Sequence, residues 1–279
     1  MIAAASVKRR DNIFAANRAV GRIVLTVATD KGLTRRKRVQ ESGSLRVRFP
    51  NSDLREPQAV IVNTAGGIAG GDRFDLDFEL EEGARLVVTT AAAEKVYRAL
   101  GPDAAITVKL SVGAEAALTW LPQETILFDR VALSRSIDID LAETATLLLA
   151  ESIVFGRSAM GETVAQGRLF DRWRVRRAGR LVFAETVRLE DGIAEKLAEP
   201  AALNGGAAIA TVLMVPGDDS KIAAVRALSE NFSGEVGVSA WNGIAVVRLC
   251  ARNGAALRRD LVSVLAVLRS GPLPRLWLN

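Results

Sequence analysis

The sequence predicts a mainly β fold, with strands stacked in a layered or helical-β arrangement inside one large domain and two α-helices near the carboxyl end. Three observations carry this expectation. Apolar and polar residues alternate with period two in one segment after another. A strand-turn-strand unit recurs about every 30 residues. Only two stretches show the helical period of apolar residues.

In chain order, residues 22–28 (RIVLTVA) and 45–49 (LRVRF) read as strands flanking the polar stretch 34–44, and residues 59–62 (AVIV) as a short buried strand. A glycine loop follows, NTAGGIAGGD, in which Gly66, Gly67, Gly70 and Gly71 permit positive φ or close backbone approach. Phe74, Leu76, Phe78 and Leu80 then alternate with Arg73, Asp75, Asp77 and Glu79, and after Glu82-Gly83 the alternation resumes at Leu86 and Val88. The unit Leu80-Glu81-Glu82-Gly83-Ala84 is echoed at Leu110–Ala114 and again at Leu141–Ala145. Three hairpin units are therefore expected near residues 74–90, 106–120 and 137–149. A lone hairpin is marginal in water, so they must stack or share a sheet.

A further hairpin is expected around Ala178-Gly179, and another across Trp241-Asn242-Gly243, where Asn-Gly suits a type I′ turn. The helices are expected at 218–230, opening on Asp218 and Asp219, and at 254–270, with Leu257, Leu261, Val264, Leu265 and Leu268 on one stripe. The tail PLPRLWLN presents Leu276 and Trp277, which must dock on the chain's own sheet or on a partner. The whole chain, 1–279, is expected as one domain: basic strands over 1–60, repeated hairpin units over 63–200, and a hairpin with two helices and the tail over 204–279.

Composition excludes several chemistries. The 279 residues contain no histidine and a single cysteine, Cys250, in an apolar run. Imidazole-based catalysis, imidazole metal ligands and a disulfide framework are therefore absent, and any chemistry falls to carboxylates and hydroxyls. The glycine loop leads into a strand instead of a helix, against the spacing of phosphate-binding loops. No apolar run reaches the ~18 residues of a membrane span. Lys8, Arg9 and Arg10 follow the small apolar residues, which is not a signal-peptide order, so a cytoplasmic protein with no membrane partner is expected.

The net charge of +5 is uneven, with twelve Lys or Arg in residues 1–50 against Asp11, Asp30 and Glu41. The run Arg35, Arg36, Lys37, Arg38 is the densest part. With only Phe14 and Phe49 as aromatics there, the region fits a solvated face or an acidic protein partner better than a nucleic-acid surface.

Five blocks, NTAGGIAGGDRF, LVVTTAAAEKVYR, LPQETILF, FGRSAMGE and LPRLW, occur in the order found in the urease accessory protein UreD (UreH) family, which the chain resembles from about Asn63 to Trp277. It departs from the family pattern at Thr64, Ala91 and Glu94. The resemblance implies a non-enzymatic scaffold for urease maturation that binds apo-urease and UreF directly and UreG through UreF. Nickel is then in transit and not stably bound, and an internal polar route carries it. Hard oxygen ligands without histidine suit transit better than storage. Asp72, Thr89, Thr90, Glu124, Glu151 and Glu162 are the candidate conduit groups, with Arg73, Arg130 and Arg157 as cations that could instead pair them. Leu276 and Trp277 are the candidate partner-binding residues, and UreF is expected to cover the apolar surface around the last helix. The competing classes are a carboxylate-based enzyme and a basic nucleic-acid binder.

Overall fold

The computed structural model describes residues 17–50 and 53–278. Lys8, Arg9, Arg10, Asp11 and Phe14 lie outside the described residues. Strands β1 (Val20–Asp30) and β2 (Leu33–Gly43) form one antiparallel pair, and β3 (Leu45–Arg48) and β4 (Gln58–Asn63) a second. The polar stretch 34–44, expected as a connection, is thus the edge strand β2. It needs no apolar face because it lies at the sheet margin, where β1 supplies its backbone partners.

Next come β5 (Arg73–Leu80), β6 (Arg85–Thr90), β7 (Glu94–Val96), β8 (Ala104–Val112), β9 (Ala117–Leu121), β10 (Thr125–Leu127), β11 (Val131–Leu141) and β12 (Thr146–Phe155). The three repeated units are arches, not hairpins. Strands β5, β8 and β11 lie parallel in one sheet, while β6, β9 and β12 lie parallel in the other. The two strands of a unit face each other across the core because each has one apolar face to bury, and pairing edge to edge would leave those faces in water. The rows also correct the repeat alignment: Leu80 stands beside Val112 and Val112 beside Leu141, two residues on from the Leu110 match. Successive turns bond to each other, Gly83 N–H to Ala114 O and Ala117 N–H to Ala84 O, both 2.9 Å. Small residues are required there, and Ala84, Ala116 and Ala145 are fully buried.

Strands β13 (Gly167–Arg177) and β14 (Arg180–Glu190) close the first sheet as the expected hairpin, turning at Ala178 and Gly179 with positive φ. Its order is β14-β13-β11-β8-β5-β1-β2. A short helix α1 (Ile193–Ala198), not expected from the sequence, buries Ile193 and Leu197. Only six residues long, it is too brief to display a helical period. The second sheet then gains β15 (Ala208–Val215), β16 (Glu235–Trp241) and β17 (Ile244–Ala251), the last two joined by the Asn242-Gly243 turn at φ 49° and 75°.

Helix α2 (Asp219–Ala227) starts at Asp218, which accepts from the Ser220 and Lys221 N–H groups. Helix α3 (Gly254–Leu268) starts at Asn253, capping Ala256 N–H. Two cores result. One, with Phe78 set edge-on to Trp120 at 5.4 Å, fills the space between the sheets. The other lies on the outer face of the second sheet, under α2, α3 and the tail. The apolar stripe of α3 is therefore covered by the chain itself, correcting the expectation that a partner covers it. Trp277 completes that core at 2% exposure and donates its indole N–H to Leu121 O at 3.0 Å.

Candidate functional site

Between the two sheets, where alternation should deliver only apolar side chains, the structure holds a charged row. Arg135 of β11 and Asp171 of β13 occupy inward positions between Leu133 and Ile137 and between Leu169 and Trp173. Arg135 grips Asp171 with two bonds, Nε to Oδ1 at 2.9 Å and Nη2 to Oδ2 at 2.6 Å, and reaches across to Glu151 Oε2 of β12 at 2.5 Å. Trp120 and Trp173 close the two ends, donating indole N–H groups to Glu151 (2.9 Å) and Asp171 (3.3 Å). Glu151 is 6% exposed.

Burial lowers the Arg135 pKa, but Asp171 and Glu151 outweigh it and hold the guanidinium above its ordinary range. Burial raises the Glu151 pKa above its ordinary value, with Arg135 and Trp120 opposing. The row thus sets one guanidinium against two carboxyl groups inside the sandwich. Next to Glu151 on the second sheet stand Thr211 and then Arg248. Both bind Glu185 of β14: Thr211 Oγ1 at 3.3 Å, and Arg248 by two bonds at 3.0 and 2.8 Å. Arg248 is largely exposed, so the polar row extends from the interior to the β14/β17 margin of the sandwich.

A second constellation gathers four of the sequence blocks at the glycine loop. Ile68 pairs beside Val96, and β7, β10 and the end of β12 form successive parallel neighbours. Gly67, at φ +145°, passes so close to Tyr97 that a Cβ would lie 2.4 Å from its ring. Tyr97 donates to Gly66 O at 2.8 Å and meets Phe128 edge-on at 5.1 Å. Arg157 lies over the Phe128 ring at 4.1 Å and binds Glu162 at 2.5 Å. Glu94 is half-buried, accepting from Asn63 Nδ2 at 3.1 Å, and burial pushes its pKa up to about 7, with that bond opposing.

The candidate conduit residues fall in different places. Asp72 pins the glycine loop, accepting from Ala19 N–H (2.8 Å) and Ala69 N–H (2.7 Å). Thr90 bridges Gln123 N–H and Ala92 O. Glu124 pairs with Arg258 at 2.7 Å; Arg258 also binds Gln123 and the Leu276 and Trp277 carbonyls and lies over the Trp277 ring, locking the tail. Glu162 pairs with Arg157, as weighed from the sequence, whereas the cations on Glu124 and Glu151 are Arg258 and Arg135. Thr89 is fully buried and its hydroxyl has no partner among the described protein groups. It is in register with Leu121 of the outer core, while Glu151 binds Trp120 of the inner one, so Thr89 and Glu151 lie on opposite faces of the sheet. Of the tail residues, Trp277 is buried, Leu276 half-buried and Leu278 66% exposed.

Sequence reasoning missed Arg135, Asp171, Glu185, Thr211 and Arg248. The signal was available for two of them: period-two alternation in VALSRSIDIDL and GRLFDRWRVRR sets Arg135 and Asp171 on the apolar faces. Among the described residues no group of three or more His, Cys, Asp or Glu side chains could hold a metal ion. Cys250 is half-buried, its pKa raised by burial, with Sγ 3.6 Å from Leu203 O.

Fold and site define a two-sheet parallel β-solenoid with a charged row through its core. The family model described as UreD urease accessory protein matches residues 19–278. A urease accessory protein UreD from Rhodopseudomonas palustris (strain BisB18) is 59% identical over 267 residues, covering 96% of each chain. One from Bradyrhizobium diazoefficiens is 58% identical over 269 residues, covering 96% of this chain and 97% of its own. The chain belongs to the UreD urease accessory protein family.

Proposed function

We propose that this chain is a non-enzymatic scaffold of urease maturation, acting in the cytoplasm on apo-urease with UreF bound directly and UreG through UreF, and that nickel crosses its interior without being held. The observation that carries this reading is the charged row itself. Burying Arg135, Asp171 and Glu151 costs several kcal/mol per ion before pairing, and apolar residues of similar volume would be about as stable. A row of polar oxygens set in the core despite that cost, and leading to the exposed Arg248 beside Glu185, suits a hydrated divalent cation meeting oxygen ligands one after another.

Asp72, Thr90, Glu124 and Glu162 hold local loop and tail bonds, whereas Glu151 belongs to the charged row between the sheets and is the candidate conduit group this reading takes forward. Thr89 keeps a place as a buried hydroxyl, unpartnered among the described residues, on the other face of the sheet. For partners, the exposed Leu278 and half-buried Leu276 offer the tail surface, with Trp277 as its internal anchor. The test is co-expression of urease subunits with UreF and UreG, with and without this chain. Urease nickel content and activity should depend on the chain, and full activation in its absence would contradict the proposal.

A further inference from the structure

The nickel route makes no use of the basic run Arg35, Arg36, Lys37, Arg38, which the fold places on β2. This eleven-residue strand is the margin of the first sheet, and among the described residues its outer side pairs with no other strand. Thr34 N–H donates to Leu54 O at 2.7 Å and the Glu41 carboxylate accepts from Val47 N–H and pairs with Arg48, while the side chains of Arg35 to Arg38 are exposed. Lys37 is neutralised by Glu81 at 2.6 Å, and Arg36 lies over the Phe49 ring at 4.7 Å. Arg38 bonds the neutral Gln40, and among the described residues Arg35, Arg36 and Arg38 form no ion pair.

Beside the strand lies a cleft of about 170 Å³ walled by Val27, Phe49, Pro50, Leu54, Pro57 and Leu86, with Arg35 and Arg36 at its rim. We infer that β2 and this cleft bind an extended acidic segment of a partner protein, which adds a strand to the sheet and seats one apolar side chain in the cleft. Edge addition draws affinity from main-chain hydrogen bonds and specificity from side-chain pockets. Consecutive cations and a bulge at Lys37 repel most edges, which is how exposed strands avoid aggregation. An acidic strand is the one kind of edge those cations attract, so the same device that blocks random pairing selects this partner.

The inference does not rest on nickel passage and is tested separately from it. The probe is a fluorescein-labelled peptide alternating Glu with Val about a central Leu, titrated onto the full chain. Controls are its Lys-for-Glu counterpart, a version with Pro at alternate valines, and a single-stranded oligonucleotide. The acidic peptide should bind, and the other three should bind at least about tenfold more weakly, a difference of about 1.4 kcal/mol. Arg35→Glu combined with Arg38→Glu, at two exposed sites free of core contacts, should weaken it by a similar factor. At near-saturation, amide exchange over residues 33–43 should slow about tenfold. Absence of binding, equal binding of the Pro version, tighter binding of the oligonucleotide, or binding without protection of β2 would each overturn the inference.

Discussion

Glu94→Gln isolates the cost of keeping a carboxylate at the glycine loop. The side chain is half-buried, and the bond the structure gives it comes from Asn63. Its pKa is pushed from 4.5 to about 7. The native state therefore binds a proton more tightly than the unfolded chain, so native stability is full below pH ~4.5, declines as pH rises toward ~7, and is constant above. At about 1.4 kcal/mol for each pH unit between the two values, the loss is about 3 kcal/mol. Glutamine keeps the hydrogen-bonding shape without the charge. Denaturant unfolding at pH 5 should show the variant and the parent within about 1 kcal/mol, and at pH 8 the variant should be more stable by about 3 kcal/mol. Parallel pH profiles for the two proteins would refute the assignment of buried charge to Glu94.

Gly67→Ala should destabilise by about 3 kcal/mol or more, since its Cβ would collide with Tyr97 at a φ of +145°, whereas Gly66→Ala, with open space around it, should cost about 1 kcal/mol; denaturant midpoints compare the two. Trp277→Ala should cost about 3–5 kcal/mol and loosen the tail, read as a lowered midpoint and faster proteolysis after Gly271. Asp218→Ala, removing the acceptor for the Ser220 and Lys221 N–H groups, should cost about 1 kcal/mol in the same assay.

The β character and stacked repeats were legible because alternation and turn residues are local signals, and Leu80, Val88 and Leu118 alternate whatever they pair with. Which strand each one pairs with was not. An arch and a hairpin share the same strand-turn-strand pattern, and only the demand that two apolar faces meet across a core separates them. The polar strand β2 was hidden for the opposite reason, since beyond Thr34 it buries almost nothing and carries no period. At the site, carboxylates were visible as residue types, but their partners were not. Glu151 and Arg135 are sixteen positions apart on strands of different sheets, and Glu124 and Arg258 meet through the tail. The Arg135 and Asp171 positions broke the apolar pattern of their own strands, a local conflict of the kind that functional sites display.

The central claim is that the row formed by Glu151, Arg135 and Asp171 serves passage of the ion and is not a requirement of folding. Arg135→Met alone leaves two buried carboxylates unpaired and should cost about 3–5 kcal/mol, so it cannot separate these roles. The triple variant Arg135→Met, Glu151→Leu, Asp171→Leu removes every charge of the row together and should fold, at a cost of about 1–3 kcal/mol for each of the Trp120 and Trp173 indole N–H groups left without an acceptor. The decisive measurement is the nickel content of urease co-expressed with UreF, UreG and this variant, with recovery of the soluble complex checked in parallel. An intact complex with urease depleted of nickel is the predicted result, and an intact complex with full nickel content would contradict the claim.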